Sequence, residues 1–176
     1  VEFYIMSVDE ATKGFFDALE RAVTRGVTVR VLYDQLASAR ISGYRNLLAT
    51  LDRIGAQHRA MLPLQPWRGI YHRPDLRNHR KLLIVDSLIA YTGSQNIIEP
   101  GYRNPRHHRR GLHWLDVMMR AKGPLADGLE ALFVSDWYQE TGELLNTPSP
   151  DKVTRVGPNK TWAQVVPSGP AFEGEN

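Results

Sequence analysis

Apolar positions along this chain follow two periodicities, and the switching between them predicts an alternating α/β fold. Residues 1–6, VEFYIM, form a short apolar run of β type. From residue 10 to 25 the spacing becomes helical, with Phe15, Phe16, Leu19, Ala22 and Val23 on one face. Gly26 ends that helix. VTVRVLYD then alternates and puts Val27, Val29, Val31 and Tyr33 on one side. Strand, helix and strand in succession predict parallel pairing. A second helical stripe, Leu47, Leu48, Leu51 and Ile54, stops near Gly55, and QHRAML supplies the next strand.

Residues 63–75, PLQPWRGIYHRPD, contain three prolines and predict a loop. KLLIVD and LIAYTG read as two strands joined across Asp86-Ser87 in a hairpin. EPGYRNPRHHRRG is a second, basic loop, and HWLDVMMRAKG reads as a strand. Residues 124–140 carry a third helical stripe of Leu125, Leu129, Leu132, Phe133 and Trp137. Trp114 and Trp137 are both expected in the core. After Gly142 the composition turns to Pro, Asn, Thr and Ser, which predicts a linker. The expected boundary lies near residue 147. Residues 1–146 form one domain, and 147–176 hold the linker and the start of a second. Both ends read as cut from a longer chain.

Composition narrows the chemistry. The chain has 176 residues, enough to bury a core, with 42% hydrophobic and 23% charged residues. No apolar run reaches the length of a membrane span, and no signal peptide is visible. Cysteine is absent, which excludes disulfides, thiolate metal sites and a cysteine nucleophile. A formal charge of +3 favours an anionic partner such as lipid headgroups or nucleic acid, although many plain domains share it.

The stretch NHRKLLIVDSLIAYTGSQN, residues 78–96, departs from a core strand. His79 and Lys81 are two apart, so on a strand they point to one face. Asp86 follows LLIV, and a carboxylate bonded to one imidazole nitrogen fixes the tautomer of the other. The next strand ends in Gly93, Ser94 and Asn96, with Gly93 permitting close backbone approach. Imidazole, ammonium, hydroxyl and carboxamide together suit a tetrahedral phosphate, with the histidine as nucleophile or general acid. His-x-Lys-x4-Asp alone arises by chance. Gly-Ser-x-Asn at the end of the following strand makes the pattern more specific.

His79-x-Lys81-x4-Asp86 followed by Gly93-Ser94-x-Asn96 resembles the HKD motif of the phospholipase D superfamily. VEFYIM, RGVTVRVLYD, RNHRKLLIVD, AYTGSQNI, HWLDVMMRAKGP and DWYQETGE are similar to bacterial cardiolipin synthases over nearly the whole chain, and QVVPSGPAFEGEN to the start of their second half. The resemblance implies a phospholipase D-like α/β sandwich: a mixed β-sheet flanked by helices, one half of a pseudo-two-fold pair. It implies a phosphatidyltransferase that moves a phosphatidyl group between phosphatidylglycerol molecules through a phosphohistidine. It also implies His79, Lys81 and Asp86 as catalytic, Lys81, Ser94 and Asn96 as phosphate-binding, Asp116 as support that orients the site histidine, and neither metal nor cofactor. The implied partners are anionic phospholipid, a membrane surface, and a second HKD half from the parent chain or a homodimer mate. The parent is then expected at the bacterial cell membrane with its catalytic part on the aqueous side. This half alone holds one motif and is expected to be inactive. The alternatives are a phospholipase D-type lipid hydrolase or a nuclease acting as a homodimer, and a non-catalytic module binding acidic lipid. Nucleic acid is the less expected substrate.

Other features carry weaker expectations. Arg103, Arg106, Arg109 and Arg110 read either as a rim attracting anionic lipid or as a solvated loop. His107, His108 and His113 lack a partner carboxylate or thiol at zinc spacing. Trp67, Tyr71 and His72 line a substrate entrance or merely pack a loop.

Overall fold

One mixed sheet runs through the protein. Its strands are β1 (Glu2–Phe3), β2 (Arg30–Asp34), β3 (Gln57–Met61), β4 (Lys81–Val85), β5 (Ile89–Gly93) and β6 (Met118–Lys122). The helices are α1 (Lys13–Thr24), α2 (Gln35–Ala39), α3 (Tyr44–Ile54), α4 (Pro105–Arg109) and α5 (Pro124–Thr141). The computed structural model describes residues 1–69, 72, 74–146 and 163–167. The expected boundary near residue 147 and most of the expected second segment lie outside them.

The strand order is β3-β2-β1-β4-β5-β6. β1, β2 and β3 are parallel, as the two strand-helix-strand units require. β4, β5 and β6 form an antiparallel meander, and β1 joins the two halves by pairing antiparallel with β4. β2 is covered on both faces, so its apolar run is nearly continuous. Val31 and Tyr33 pack with Phe3, Phe16, Leu19, Leu47 and Leu51 under α1 and α3. Leu32 faces the other way and packs with Leu82, Ala90, Ala121, Leu129, Phe133 and Trp137 under α5. The expected α/β class, a mixed sheet flanked by helices, is therefore what the chain forms.

Several elements depart from the pattern reading. Val27 is exposed, because β2 begins only at Arg30. α2 was not legible: it is five residues long and is nucleated by Asp34, whose Oδ1 accepts from the Ala37 amide at 2.8 Å. The HWLDVMM segment enters the sheet only at Met118. Trp137 is core, but Trp114 is 57% exposed, because the residues before β6 lie outside the sheet. The basic loop contains α4, capped by Asn104, whose Oδ1 accepts from the Arg106 amide at 2.9 Å. Among the described residues, no helix is long and apolar enough to cross a membrane.

The β4–β5 turn is tight. Asp86 and Ser87 both have positive φ, 52° and 56°, and the Leu88 amide donates to the Val85 carbonyl at 3.0 Å. Asp tolerates this left-handed backbone better than most residues, which gives Asp86 a conformational role.

Candidate active site

The topology brings four strand ends to one edge of the sheet. Lys81 opens β4, and its antiparallel neighbour β5 closes at Gly93. β1 ends there at Phe3, opposite Lys81, and β2 ends at Asp34. His79 and Lys81, at the start of β4, and Ser94 and Asn96, just past the end of β5, therefore lie at the same end of the sheet. Gly93 is required by close approach: a Cβ there would lie 2.0 Å from the Val117 carbonyl oxygen.

An aromatic neighbour holds the histidine. The His79 ring stacks on Tyr4 with centroids 3.8 Å apart and planes inclined by 19°. Lys81 Nζ lies 5.4 Å from the centroid of the same Tyr4 ring and donates to the His79 carbonyl at 2.6 Å. Burial lowers the His79 pKa, and the Lys81 and Arg77 cations add to that, while Asp34 opposes it. These influences favour the neutral form of the imidazole over the charged one. Burial also lowers the Lys81 pKa, with Asp116 acting to raise it.

Asn96 is buried and fixed at both ends of its amide. Its Oδ1 accepts from the Ile5 amide at 3.0 Å, and its Nδ2 donates to the Tyr102 hydroxyl at 2.9 Å. Among the described residues, the second N–H of that amide has no partner. Tyr102 and Arg103 both have left-handed φ, and Glu99 holds that turn by accepting from the Gly101 amide at 2.6 Å and from the Arg103 amide.

Three expected roles change. Asp86 does not orient His79. It sits in the turn at the opposite end of β4, five residues beyond Lys81, or about 17 Å along an extended strand. Asp86→Asn suits the same left-handed turn. We expect it to leave turnover and stability within about 0.5 kcal/mol of the parent, measurable as kcat and urea midpoint. Ser94 is not a free donor to phosphate. Its hydroxyl donates to Asp116 Oδ1 at 2.7 Å and accepts from the Val117 amide at 3.1 Å, so it secures the segment before β6. Among the described residues, Asp116 accordingly meets Ser94 and not His79.

A buried polar frame, not anticipated from the sequence, surrounds the motif. Arg77 Nε donates to Asp34 Oδ2 at 2.7 Å, with side chains 3% and 0% exposed. Asn78 Nδ2 donates to Glu2 Oε1 and to Asp136 Oδ2, each at 2.9 Å. Arg80 also pairs with Asp136. Burial, and then the neighbouring Asp136 charge, push the Glu2 carboxyl well above the usual carboxylate range. Residues 77, 78 and 80 are thus each tied to a carboxylate of another element. Two signals were available. Glu2 interrupts an apolar strand, and Asp136 falls seven residues after Leu129 on the buried stripe of α5.

The histidines of the basic loop are engaged separately. His107 Nδ1 lies 3.0 Å from the Gly101 carbonyl, and His108 Nε2 lies 3.0 Å from Glu99 Oε1. Among the described residues, no group of three or more His, Asp or Glu side chains could hold a metal ion. Trp67 and His72 are exposed, and Tyr71 lies outside the described residues. Beside Asp116, Leu115 is 89% and Val117 76% exposed, an apolar strip bordering the site.

The arrangement offers an imidazole, an ammonium and a carboxamide at one sheet edge, groups whose chemistry suits attack on a phosphodiester and binding of its oxygens. Comparison with known proteins gives the family. The family model described as "Cardiolipin synthase, PLD-like domain" matches residues 1–137. Cardiolipin synthase A of Proteus mirabilis is 34% identical over 98% of the chain and 35% of its own length. Cardiolipin synthase A of Wigglesworthia glossinidia brevipalpis is 32% identical over 96% of the chain and 34% of its own length. That of Pectobacterium atrosepticum is 34% identical over 98% and 35%. The chain spans about a third of the length of these curated relatives. On the extent of these matches, the chain belongs to the family of cardiolipin synthase, PLD-like domains.

Proposed function

We propose that this chain is the first HKD half of a phosphatidyltransferase of the cardiolipin synthase type. The observation that carries the reading is the convergence of His79, Lys81 and Asn96 at one sheet edge, beside an exposed apolar strip that carries Asp116. Residues 1–146 form this half, and 147–176 lead into the second.

A nitrogen of one histidine attacks the phosphorus of phosphatidylglycerol. The bond from phosphorus to the glycerol oxygen breaks, and the leaving oxygen takes a proton from the second histidine. The second histidine then removes a proton from the hydroxyl of another phosphatidylglycerol. That oxygen attacks phosphorus, the nitrogen–phosphorus bond breaks, and cardiolipin leaves. Lys81 and Asn96 of this half hold the phosphate oxygens as charge builds on them.

One histidine cannot serve both steps, so the second half of the parent, or a second copy of the chain, must face this edge. The Leu115–Val117 strip is the surface for that contact. Asp116, fixed by Ser94 and set among exposed apolar neighbours, then orients a histidine brought in by the docked half. The basic residues of the α4 segment draw the site to anionic lipid at the membrane surface, each by about 1 kcal/mol.

The test incubates the full-length protein and the 176-residue chain with phosphatidylglycerol vesicles and follows lipids by mass spectrometry. Cardiolipin and glycerol from the full-length protein alone are the expected result. Product from the short chain would instead establish a homodimer. Phosphatidic acid from the full-length protein would make water the acceptor and the enzyme a hydrolase. No lipid product from either would sink the reading.

A further inference from the structure

We propose that Tyr4 is a positioning residue for the reaction, its ring a platform that fixes the plane of the His79 imidazole and carries the Lys81 ammonium. The proposal rests on the reading of His79 as the catalytic histidine of this half.

A catalytic imidazole needs its ring direction fixed, and a carboxylate commonly does this through one ring nitrogen. Within this half, the nearby carboxylates are committed elsewhere. Asp34 accepts from Arg77 Nε at 2.7 Å and from the Ala37 amide at 2.8 Å. Asp116 accepts from Ser94 at 2.7 Å. Asp86 is at the far end of β4. Among the described residues, neither nitrogen of His79 makes a hydrogen bond. What holds the ring is the stack on Tyr4, at 3.8 Å and 19°.

The stack has a chemical advantage over a hydrogen bond. It fixes the plane and leaves both nitrogens unoccupied, one for phosphorus or a leaving oxygen, the other for a group from the docked half. Lys81 Nζ is 5.4 Å from the same ring centroid, within range of a cation–π contact. One aromatic face therefore sets the relation between the imidazole and the ammonium that steadies the phosphate.

Tyr4 is itself well placed for this. It follows β1 directly, and the register Phe3 opposite Lys81 brings it across from the residues that precede β4. The next residue, Ile5, donates its amide to Asn96 at 3.0 Å. The segment 4–5 thus touches His79, Lys81 and Asn96 together. Its effect on the reaction is positional: the ring meets groups that act on the phosphate and is assigned no bond to substrate.

The experiment uses the full-length protein with phosphatidylglycerol vesicles and compares Tyr4→Phe, Tyr4→Leu and His79→Ala. Tyr4→Leu removes the ring and keeps apolar bulk. We expect kcat to fall about 10- to 100-fold, the scale for a misplaced reacting group, with KM little changed. Tyr4→Phe restores the ring and recovers most of the lost kcat. Circular dichroism controls for folding, and Tyr4→Met carries the same comparison if the Leu variant is poorly folded. Parental kcat in Tyr4→Leu beside an inactive His79→Ala overturns the platform and leaves the site intact. A Tyr4→Phe variant as slow as Tyr4→Leu also overturns it, since the hydroxyl would then be what matters. Full activity in His79→Ala overturns the underlying reading instead.

Discussion

His79→Ala in the full-length protein is expected to reduce phosphatidyl transfer by at least about 10³-fold, because no other group at this sheet edge can form or protonate the bond to phosphorus. Lys81 is a poor substitute. Its ammonium is engaged with the His79 carbonyl at 2.6 Å and sits over Tyr4. Ser94 is tied to Asp116 and the Val117 amide. The loss belongs to chemistry and not to folding, since the His79 ring lies on Tyr4 outside both core clusters. The checks are cardiolipin by mass spectrometry and an unchanged urea midpoint. A variant that folds normally and still makes cardiolipin at the parental rate would remove His79 from the reaction.

The second large effect concerns stability. Asp34→Ala leaves the Arg77 guanidinium buried without its carboxylate and strips the cap from α2. Breaking a buried pair from one side costs about 3–5 kcal/mol, because a charge remains in a place that water cannot reach. Loss of the cap adds about 1 kcal/mol. Asp34→Asn keeps an acceptor for the Ala37 amide and should cost less. Removing both charges, with Asp34→Ala and Arg77→Met together, should return part of the loss, and the cycle of four proteins measures the coupling. Urea midpoints decide it. A drop below about 1 kcal/mol in Asp34→Ala would mean that solvent reaches the pair.

The parts of the molecule legible from sequence are those set by neighbours in the chain. Phe16 and Leu19, or Leu47, Leu51 and Ile54, recur at helical spacing, and both stripes are buried as their spacing requires. The β4–β5 hairpin was equally plain, because Asp86-Ser87 marks its turn. His79, Lys81 and Asn96 stand out together in the sequence because each lies at or just beyond a strand end, next to an apolar run.

What escaped depends on sheet order, which local pattern does not carry. β1 lies between β2 and β4, so Tyr4 meets His79 and Glu2 meets Asn78 across more than seventy residues. Asp34 and Arg77 are partners for the same reason. Asp86 was misread because closeness in the motif was taken for closeness in space, whereas an extended strand carries residue 86 away from residue 81. Trp114 looked like core by residue type alone. Its segment lies outside the sheet, and its ring meets Tyr102 edge-on with centroids 5.9 Å apart.

The placement of β1 also has a consequence for biosynthesis. This strand is two residues long and joins the parallel and antiparallel halves of the sheet. The contact from Ile5 to Asn96 spans 91 positions. At ribosomal rates, roughly 5–20 s separate the emergence of these two residues. During that interval the nascent chain can close its early strand-helix-strand units through near neighbours, while the middle of the sheet waits for β4. His79, Lys81 and Asn96 come together only when that late, high-contact-order step is complete. A translation product that stops before Asn96 therefore lacks the edge on which His79, Lys81 and Asn96 gather, however well its first helices form.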